Sequence, residues 1–240
     1  MNNNNFIRTK KFIFYYLILI ITSFLFLRSF KEIHPKNIKI SGTKFISKDL
    51  IIKNSSLLLP QKLILIKTKL HERELSENLS LKNISIKRQL VPFGLIILFK
   101  TRVPVAYAEI NNNEEIIRGF VDEEGFFINK EFAIIPKEFT SKLRIIGWRK
   151  TSRETISKIV KAYKGNRDLK VINISKDGFL VLEEEKFKKI FLGNQPEKID
   201  LQLKLILEIK KQLKDKDFFE RIEDLDLTDI NNPILKVFKP

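Results

Sequence analysis

The side chains that most often carry out chemistry are scarce in this sequence. It contains no cysteine and two histidines, His34 and His71. Thiol nucleophiles, disulfides and zinc–thiolate sites are therefore excluded, and a Ser-His-Asp triad or a histidine-rich metal site has almost nothing to draw on. We expect both histidines to be exposed surface residues.

Three consecutive acids, Glu183, Glu184 and Glu185, are the remaining candidates for a cation site or an acid–base pair. Neighbouring residues of an extended strand point to opposite faces, so these carboxylates cannot converge, and we interpret them as solvated charge. No glycine-rich phosphate-binding loop is present. We therefore predict no enzyme, no cofactor, no metal and no small-molecule substrate.

The formal net charge of +16 could indicate a nucleic-acid or anionic-membrane partner. The basic residues, however, alternate with acids along most of the chain, as in Lys69, Glu72, Arg73, Glu74 and Glu77. No basic block is interleaved with aromatic residues. This pattern favours a general lysine-rich bias with solvated faces, and we predict no specific nucleic-acid partner.

One segment near the N-terminus has the properties of a membrane span. Residues Phe12 to Leu27 carry no charge and would extend about 24 Å as a helix, and Arg28, Ser29 and Phe30 lengthen the run toward the ~30 Å of a hydrocarbon core. A cleaved signal peptide fits less well, because the apolar run is long and no small-x-small cleavage site follows. We predict a cytoplasmic tail at 1–11 and a transmembrane helix at 12–30.

The charges around this span do not determine its orientation. Arg8, Lys10 and Lys11 precede it, but a comparable number of basic residues follows it. Long domains cross the membrane largely regardless of such charges, so a basic tail inside and a large domain outside is one permitted arrangement.

The first part of the soluble region reads as strand, helix, helix, strand, strand. The predicted elements are a strand through Ile38 and Ile40 that stops at Ser41-Gly42, a helix capped by Ser47, a helix carrying Leu70, Leu75 and Leu79, and strands at Lys82 to Leu90 and Phe93 to Ile110 around a turn at Pro92-Phe93-Gly94. Such an order favours helices packed on one face of a small sheet.

The second part is richer in strands and begins after the polar turn Asn111-Asn112-Asn113. The predicted elements are a hairpin of Ile116 to Val121 and Phe126 to Asn129, a helix after a capping box at Thr151 to Glu154, strands at Lys170 to Ser175, Phe179 to Glu183 and Lys188 to Leu192, a helix opened by Pro196, and strands at Ile222 to Leu227 and Ile234 to Phe238. The fold class is therefore α+β.

Several motifs, in this order, resemble the FtsQ/DivIB family of bacterial division proteins. IKISGTKFISKDL, with Gly42, resembles the opening strand and first helix of the family's POTRA domain. DLDLTDINNPILKVFKP resembles the terminal Asp-Leu turn and last strand of the family's chain. The remaining motif positions are Arg102, Pro104, Val105 and Ala106 in FKTRVPVAYAEI, and Val121, Asp122 and Gly125 in GFVDEEGFFI. Each motif alone is weak, since Pro104, Asp122 and Gly125 could serve only to shape the chain.

The resemblance implies a single-pass plasma-membrane protein with an N-terminal transmembrane helix, a POTRA-like β-α-α-β-β domain at 36–110 and an FtsQ-type β domain with flanking helices at 111–240. It implies a cytoplasmic N-terminus, extracytoplasmic domains and a location at the division septum. The implied partners are FtsB-like and FtsL-like coiled-coil division proteins and septal wall synthases.

A chain with an anchor and exposed strand edges but without catalytic groups favours a binding protein that acts by β-augmentation, in which a partner segment pairs with a free sheet edge. The resemblance places that edge at the last strand, through Ile234, Leu235, Lys236, Val237 and Phe238. The alternative that this strand merely completes the sheet stays open.

Three other functions remain alternatives. They are an accessory POTRA tether of envelope transport or of another envelope complex, a membrane-linked wall enzyme, which would need a cleft with convergent acids, and membrane-associated nucleic-acid binding, which would show steep salt dependence.

Overall fold

A computed structural model describes residues 3–42, 46–112, 115–166, 168–216 and 218–238. The chain forms two compact units, Met1–Thr101 and Arg102–Pro240. Of the predicted features, Met1 and Asn2 of the tail, Thr43 to Phe45 of the first motif, Asn113 of the polar turn, and Lys239 and Pro240 of the last motif lie outside the described residues.

The first unit begins with a long helix, α1 (Asn3–Ser29), of 27 residues. The helix starts within the predicted tail, so residues 3–11 of that tail are helical and run into the apolar stretch without a break. The stretch Lys11–Ser29 is long and apolar enough to cross a membrane, and none of it is buried within the protein. Because large apolar side chains cover this stretch on every side, water is an unfavourable surrounding for it, and the predicted apolar N-terminal helix is confirmed.

The rest of the first unit is a small α+β arrangement. Its elements are β1 (Glu32–Ile33), β2 (Ile38–Ser41), α2 (Lys48–Lys53), β3 (Gln61–Lys62), α3 (Thr68–Asn78), β4 (Leu81–Gln89) and β5 (Gly94–Thr101). Strand β5 is central in a three-stranded sheet, parallel to β2 and antiparallel to β4, and β1 pairs with β3 in a separate ribbon. The predicted order of strand, two helices and two strands is confirmed.

Local chemistry accounts for helices α2 and α3. The Ser47 hydroxyl accepts the backbone N–H of Leu50 at 3.2 Å, which caps α2 as predicted. In α3, Leu75 is buried, and Leu79 at its C-terminal cap is buried as well, so the helix presents one apolar stripe to the core.

The predicted single strand Phe93 to Ile110 is wrong, because the chain breaks at Arg102. Strand β5 ends at Thr101, and β6 (Pro104–Asn112) starts the sheet of the second unit. A continuous apolar pattern cannot reveal this break, which a buried ion pair and a proline impose. The boundary expected between Ile110 and Asn111 consequently falls inside the second unit, and the units divide between Thr101 and Arg102.

The second unit is dominated by one mixed sheet of nine strands. After β6 come β7 (Glu115–Asp122), β8 (Phe127–Asn129), β9 (Arg144–Ile146), α4 (Arg153–Ala162), β10 (Leu169–Ile174), β11 (Leu180–Glu184), β12 (Lys188–Gly193), α5 (Ile199–Leu213), β13 (Ile222–Asp226) and β14 (Ile234–Val237). The strand order across the sheet is β14-β13-β12-β11-β10-β9-β6-β7-β8.

Parallel pairing joins β6 to β9, β9 to β10 and β12 to β13, and the other neighbours are antiparallel. The three-residue strand β9 joins the hairpin of β6 and β7 to the rest of the sheet. Sequence reasoning missed β9, because three residues are too few for a periodic signal.

Helices α4 and α5 share one core with the sheet. Its buried members include Ile156 and Ile159 of α4, Ile199, Leu203 and Ile206 of α5, and Ala106, Val121, Ile145, Ile172, Leu182, Ile190 and Leu225 of the strands. In β11, alternate residues supply this core, as the side-chain period of two in a strand requires.

The start of α4 differs from the predicted capping box at Thr151 to Glu154. The helix begins at Arg153, and the cap residue Ser152 gives its hydroxyl to the carbonyl of Arg149 instead of to the helix. A short 3-10 turn, Lys150–Ser152, occupies the expected capping position. A similar turn, Pro196–Lys198, leads into α5.

Candidate partner-binding edge

The motif positions Arg102 and Asp122 meet in a buried ion pair. Arg102 Nη1 donates to Asp122 Oδ2 at 2.6 Å, and the two residues are 6% and 4% exposed. The second oxygen, Oδ1, accepts the backbone N–H groups of Glu124 at 3.0 Å and Phe126 at 2.8 Å. One carboxylate therefore neutralises the arginine and closes the turn between β7 and β8.

The ring of Phe126 extends this arrangement. The guanidinium carbons of Arg102 and Arg153 lie 3.5 and 3.1 Å from its centroid, so two cations must occupy opposite faces of the ring. Sequence reasoning did not single out Phe126 or Arg153, and their cation–π contact has no local signature because the residues are distant along the chain.

Gly125, another motif position, allows the same turn to approach α4 closely. Its φ is +77°, and a Cβ there would lie 2.1 Å from the carbonyl oxygen of Arg153. Trp148 Nε1 donates to the Gly125 carbonyl at 2.9 Å, and the Ser157 hydroxyl donates to that of Glu123 at 2.9 Å. The hairpin is thus held against α4 by hydrogen bonds from the side chains of Trp148 and Ser157 to its backbone carbonyls.

The other motif positions also serve the fold. Ala106 and Val121 are partners in the ladder between β6 and β7 and are completely buried, Pro104 is buried opposite Asp122, and Val105 is half-buried. Gly42 lies in the first unit, where a Cβ would come within 2.8 Å of Phe99. These motif positions therefore shape the chain, and their geometry provides no convergent reactive groups.

The expectation of two exposed histidines is half right. His34 is exposed, but His71 is 5% exposed, with Nδ1 at 3.1 Å from Glu74 Oε2 and 3.4 Å from the Ser56 hydroxyl. His71 lies one turn before the buried Leu75 and shares its face of α3, so the helix carries it inward. Hydrogen bonds from the backbone and hydroxyl of Ser56 hold the pKa of Glu74 below its usual range.

The interpretation of the three glutamates as solvated charge is wrong for Glu184, which is 3% exposed. Lys210 Nζ lies 2.5 Å from Glu184 Oε2 and 3.7 Å from Asp168 Oδ2. Glu183 is half-buried and Glu185 exposed, as the alternation of a strand requires.

Burial raises the pKa of Glu184, and the ammonium of Lys210 opposes that shift. Burial and the neighbouring Glu184 also raise the pKa of Tyr163. In the part of the chain that the structure describes, no cluster of His, Asp and Glu side chains is arranged to hold a metal ion. The Glu184–Lys210 pair therefore reads as a structural ion pair of the core.

Strand β14 lies at one end of the nine-stranded sheet, with β13 as its neighbour. Their antiparallel register pairs Ile234 with Asp226, Leu235 with Leu225, Lys236 with Asp224 and Val237 with Ile222. Among the described strands none pairs with the other side of β14, so that side forms an edge able to accept a further strand.

The direction of one hydrogen bond shows which amides face this edge. The N–H of Phe238 donates to the Arg221 carbonyl at 2.9 Å, toward β13. Because successive N–H groups of an extended strand point to opposite sides, those of Leu235 and Val237 face outward. They are the donors that an added strand would use.

The side chains of β14 also separate into two sets. Leu235 and Val237 are partly buried against the core, whereas Ile234 and Phe238 are 65% and 59% exposed. Lys236 Nζ lies 3.9 Å from Glu223 and 3.8 Å from Asp224, and its side chain is 67% exposed. A strand added here would continue the apolar core on one face and meet exposed apolar and charged groups on the other.

Comparison with known families bears on the first unit. Residues 33–97 match the family model described as POTRA domain, FtsQ-type. The chain carries an FtsQ-type POTRA domain. This match confirms the POTRA-containing protein predicted from the motifs and supports its resemblance to the FtsQ/DivIB family. The POTRA domain corresponds to the three-stranded sheet with α2 and α3. A comparison with curated proteins found no match.

Replacing Arg102 with Ala should lower the free energy of unfolding of the second unit by about 3–5 kcal/mol, since it leaves Asp122 as an uncompensated buried charge. Trp148 is the only tryptophan and lies in this unit, so its fluorescence reports urea unfolding of the detergent-solubilised chain. The control is Arg118→Ala in β7, where the side chain is 72% exposed and a loss below about 1 kcal/mol is expected. Equal losses in the two variants would contradict the assigned role.

The raised pKa of Glu184 predicts a pH effect. The Glu184 carboxyl keeps its proton to higher pH in the folded chain than in the unfolded chain. The stability that this proton binding contributes is complete below the ordinary glutamate pKa of 4.5, and it is lost as the pH rises through the raised pKa of the folded chain. Relative to wild type, Glu184→Gln should therefore gain stability as the pH rises above 4.5, as measured by urea unfolding at a series of pH values. The control is Glu185→Gln at an exposed position, whose free energy of unfolding should follow that of wild type at every pH. If the pH profile of Glu184→Gln also runs parallel to that of wild type, the raised pKa of Glu184 is refuted.

Proposed function

We propose that this protein is a non-catalytic scaffold of the bacterial cell-division machinery. The FtsQ-type POTRA domain supports a role in cell division, and the apolar helix Lys11–Ser29 together with that domain fits a single-pass membrane protein. Proteins with this domain type are generally non-catalytic and act through protein–protein contacts. The proposed scaffold links assembly of the septum to synthesis of the cell wall.

The observation that carries the binding mechanism is the free edge of β14. An incoming strand would accept the outward N–H groups of Leu235 and Val237 and place alternate side chains beside the half-buried Leu235 and Val237. We propose that the strand comes from FtsB-like or FtsL-like coiled-coil division proteins, as the family resemblance implies. Septal wall synthases are further proposed partners.

Anchoring in the same membrane as its partner would strengthen this binding. In the proposed arrangement the N-terminus is cytoplasmic, and the POTRA domain and second unit lie outside the membrane at the division septum. Anchoring both partners in one membrane raises their effective concentration without any new contact. A modest strand-pairing affinity would then suffice for assembly.

Replacing Val237 with Pro should reduce capture of an FtsB-like partner at least tenfold, since proline removes an outward N–H and leaves the donors toward β13 in place. The matched control is Val237→Ala, which trims the side chain but keeps the N–H, and it should retain most of the binding. Co-purification from membranes measures both, and Trp148 fluorescence confirms that each variant is folded. Undiminished capture by a folded Val237→Pro chain would rule out pairing through this edge.

A fluorescent fusion of the full chain should concentrate at midcell in dividing cells. An accessory tether of envelope transport would instead distribute evenly around the envelope, and that outcome would exclude the division role. Protease protection in sealed vesicles tests the orientation, because a domain outside the cell stays accessible on right-side-out vesicles and becomes protected inside inverted ones.

A further inference from the structure

If α1 spans a bilayer, the residue at which its apolar stretch ends marks the level of the membrane surface. The apolar stretch Lys11–Ser29 has 19 residues and spans about 28 Å, close to the ~30 Å thickness of a hydrocarbon core. Ser29 therefore stands at the boundary of the core. The headgroup layer beyond it is about 5–8 Å deep on each side.

A loop of the POTRA domain is hydrogen-bonded to the chain directly after that boundary. The N–H of Leu63 donates to the carbonyl of Lys31 at 3.1 Å, and β1 pairs with β3 through Glu32 and Lys62. Lys31 follows Ser29 by two residues, which reach at most about 7 Å. The backbone around Leu63 is thus held at the depth of the lipid headgroups.

This loop turns apolar side chains away from its own core. Leu63 is buried, whereas its neighbours Ile64 and Leu65 are 41% and 59% exposed. Lys62 and Lys67 are exposed in the same segment. Apolar side chains next to lysines form a composition suited to a membrane interface, where the rings or alkyl groups enter the lipid and the ammonium groups meet phosphates.

A second loop of the POTRA domain also lies beside the end of α1. The guanidinium of Arg28, in the last turn of α1, lies 5.8 Å from the ring centroid of Phe93. Phe93 belongs to the turn between β4 and β5, in which Val91 is 64% exposed. Two loops that are distant in sequence therefore present apolar side chains beside the point where the chain leaves the membrane.

We propose that Ile64, Leu65 and Val91 form a membrane-contact surface that inserts into the headgroup region of the bilayer spanned by α1. The exposed lysines beside it bind the phosphates of anionic lipids. The surface restricts the tilt of the POTRA domain on the membrane, so α1 acts as part of a rigid attachment rather than as a loose tether. This inference goes beyond the proposed function and requires only that α1 spans a bilayer.

The absence of native cysteine allows a direct test. Leu65→Cys and Val91→Cys variants of the full chain are each labelled with an environment-sensitive nitrobenzoxadiazole dye and reconstituted in phosphatidylcholine vesicles containing a minority of phosphatidylglycerol. The dye should show blue-shifted emission and at least twofold quenching by lipids with a nitroxide in the headgroup or the upper acyl chain. Both probes replace exposed side chains, so the fold should tolerate them.

The matched control is Asn83→Cys, an exposed position in β4 that pairs with Lys100 of β5. Lys100 lies six residues, about 20 Å, along β5 from Gly94 at the turn, so this dye should remain in water and show little quenching. Omitting phosphatidylglycerol should weaken the quenching at Leu65 if lysine–phosphate contacts contribute, and no change would overturn that part of the proposal.

Water exposure at Leu65 and Val91 equal to that at Asn83 would overturn the proposal. Shielding of Leu65 that requires added division proteins would also overturn it, because the surface would then be a protein interface. Neither result depends on the β14 edge, so failure here is distinguishable from failure of the proposed scaffold function.

Discussion

The buried ion pair between Arg102 and Asp122 is the interaction on which the architecture of the second unit depends. It occurs where the chain leaves the three-stranded sheet at Thr101 and begins a new sheet at Pro104. An unpaired guanidinium at this depth would be costly, so Arg102 is stable there only when the β7–β8 turn delivers the Asp122 carboxylate. The break in the strand and the closing of the hairpin are therefore coupled.

The same carboxylate links the hairpin to the helical layer. By accepting two backbone N–H groups of the turn, Asp122 orients Gly125 and Phe126 toward α4. Arg153 and Ser157 of α4, and Trp148 before it, complete the contact. Charge, turn and cation–π contacts all involve the same few residues. These motif positions consequently act through the stability of the sheet, and the surfaces that we propose for binding lie elsewhere.

The two proposed surfaces are the edge of β14 in the second unit and the POTRA loops beside the end of α1 in the first. At the β14 edge, the strand terminates the nine-stranded sheet with outward N–H groups and exposed Ile234 and Phe238. At the POTRA loops, the chain emerging from α1 is held by the loops of the POTRA domain. Backbone hydrogen bonding would bind a strand at the first, and apolar insertion would bind lipid at the second, so the two do not compete for the same chemistry.

The sequence by itself was sufficient for features that repeat over many residues. The uncharged run that became α1, the stripe of leucines in α3 and the alternating strands β10 and β11 all carry a periodic signal that one chain displays without its neighbours. The order of the motifs likewise indicated the FtsQ-type POTRA domain, which the family model at residues 33–97 confirmed. The prediction of Ile234 to Phe238 as the binding edge stays a prediction.

Only the tertiary structure decided features that depend on contacts between distant residues. The break at Arg102 requires Asp122, the burial of His71 requires Ser56 and Glu74, and that of Glu184 requires Lys210 from α5. A polar residue is stable inside a protein only beside a hydrogen-bonding or charged partner. That partner is often distant in sequence, so the spacing of nearby residues does not identify it. For the same reason, only the three-dimensional strand order showed that β14 is an edge.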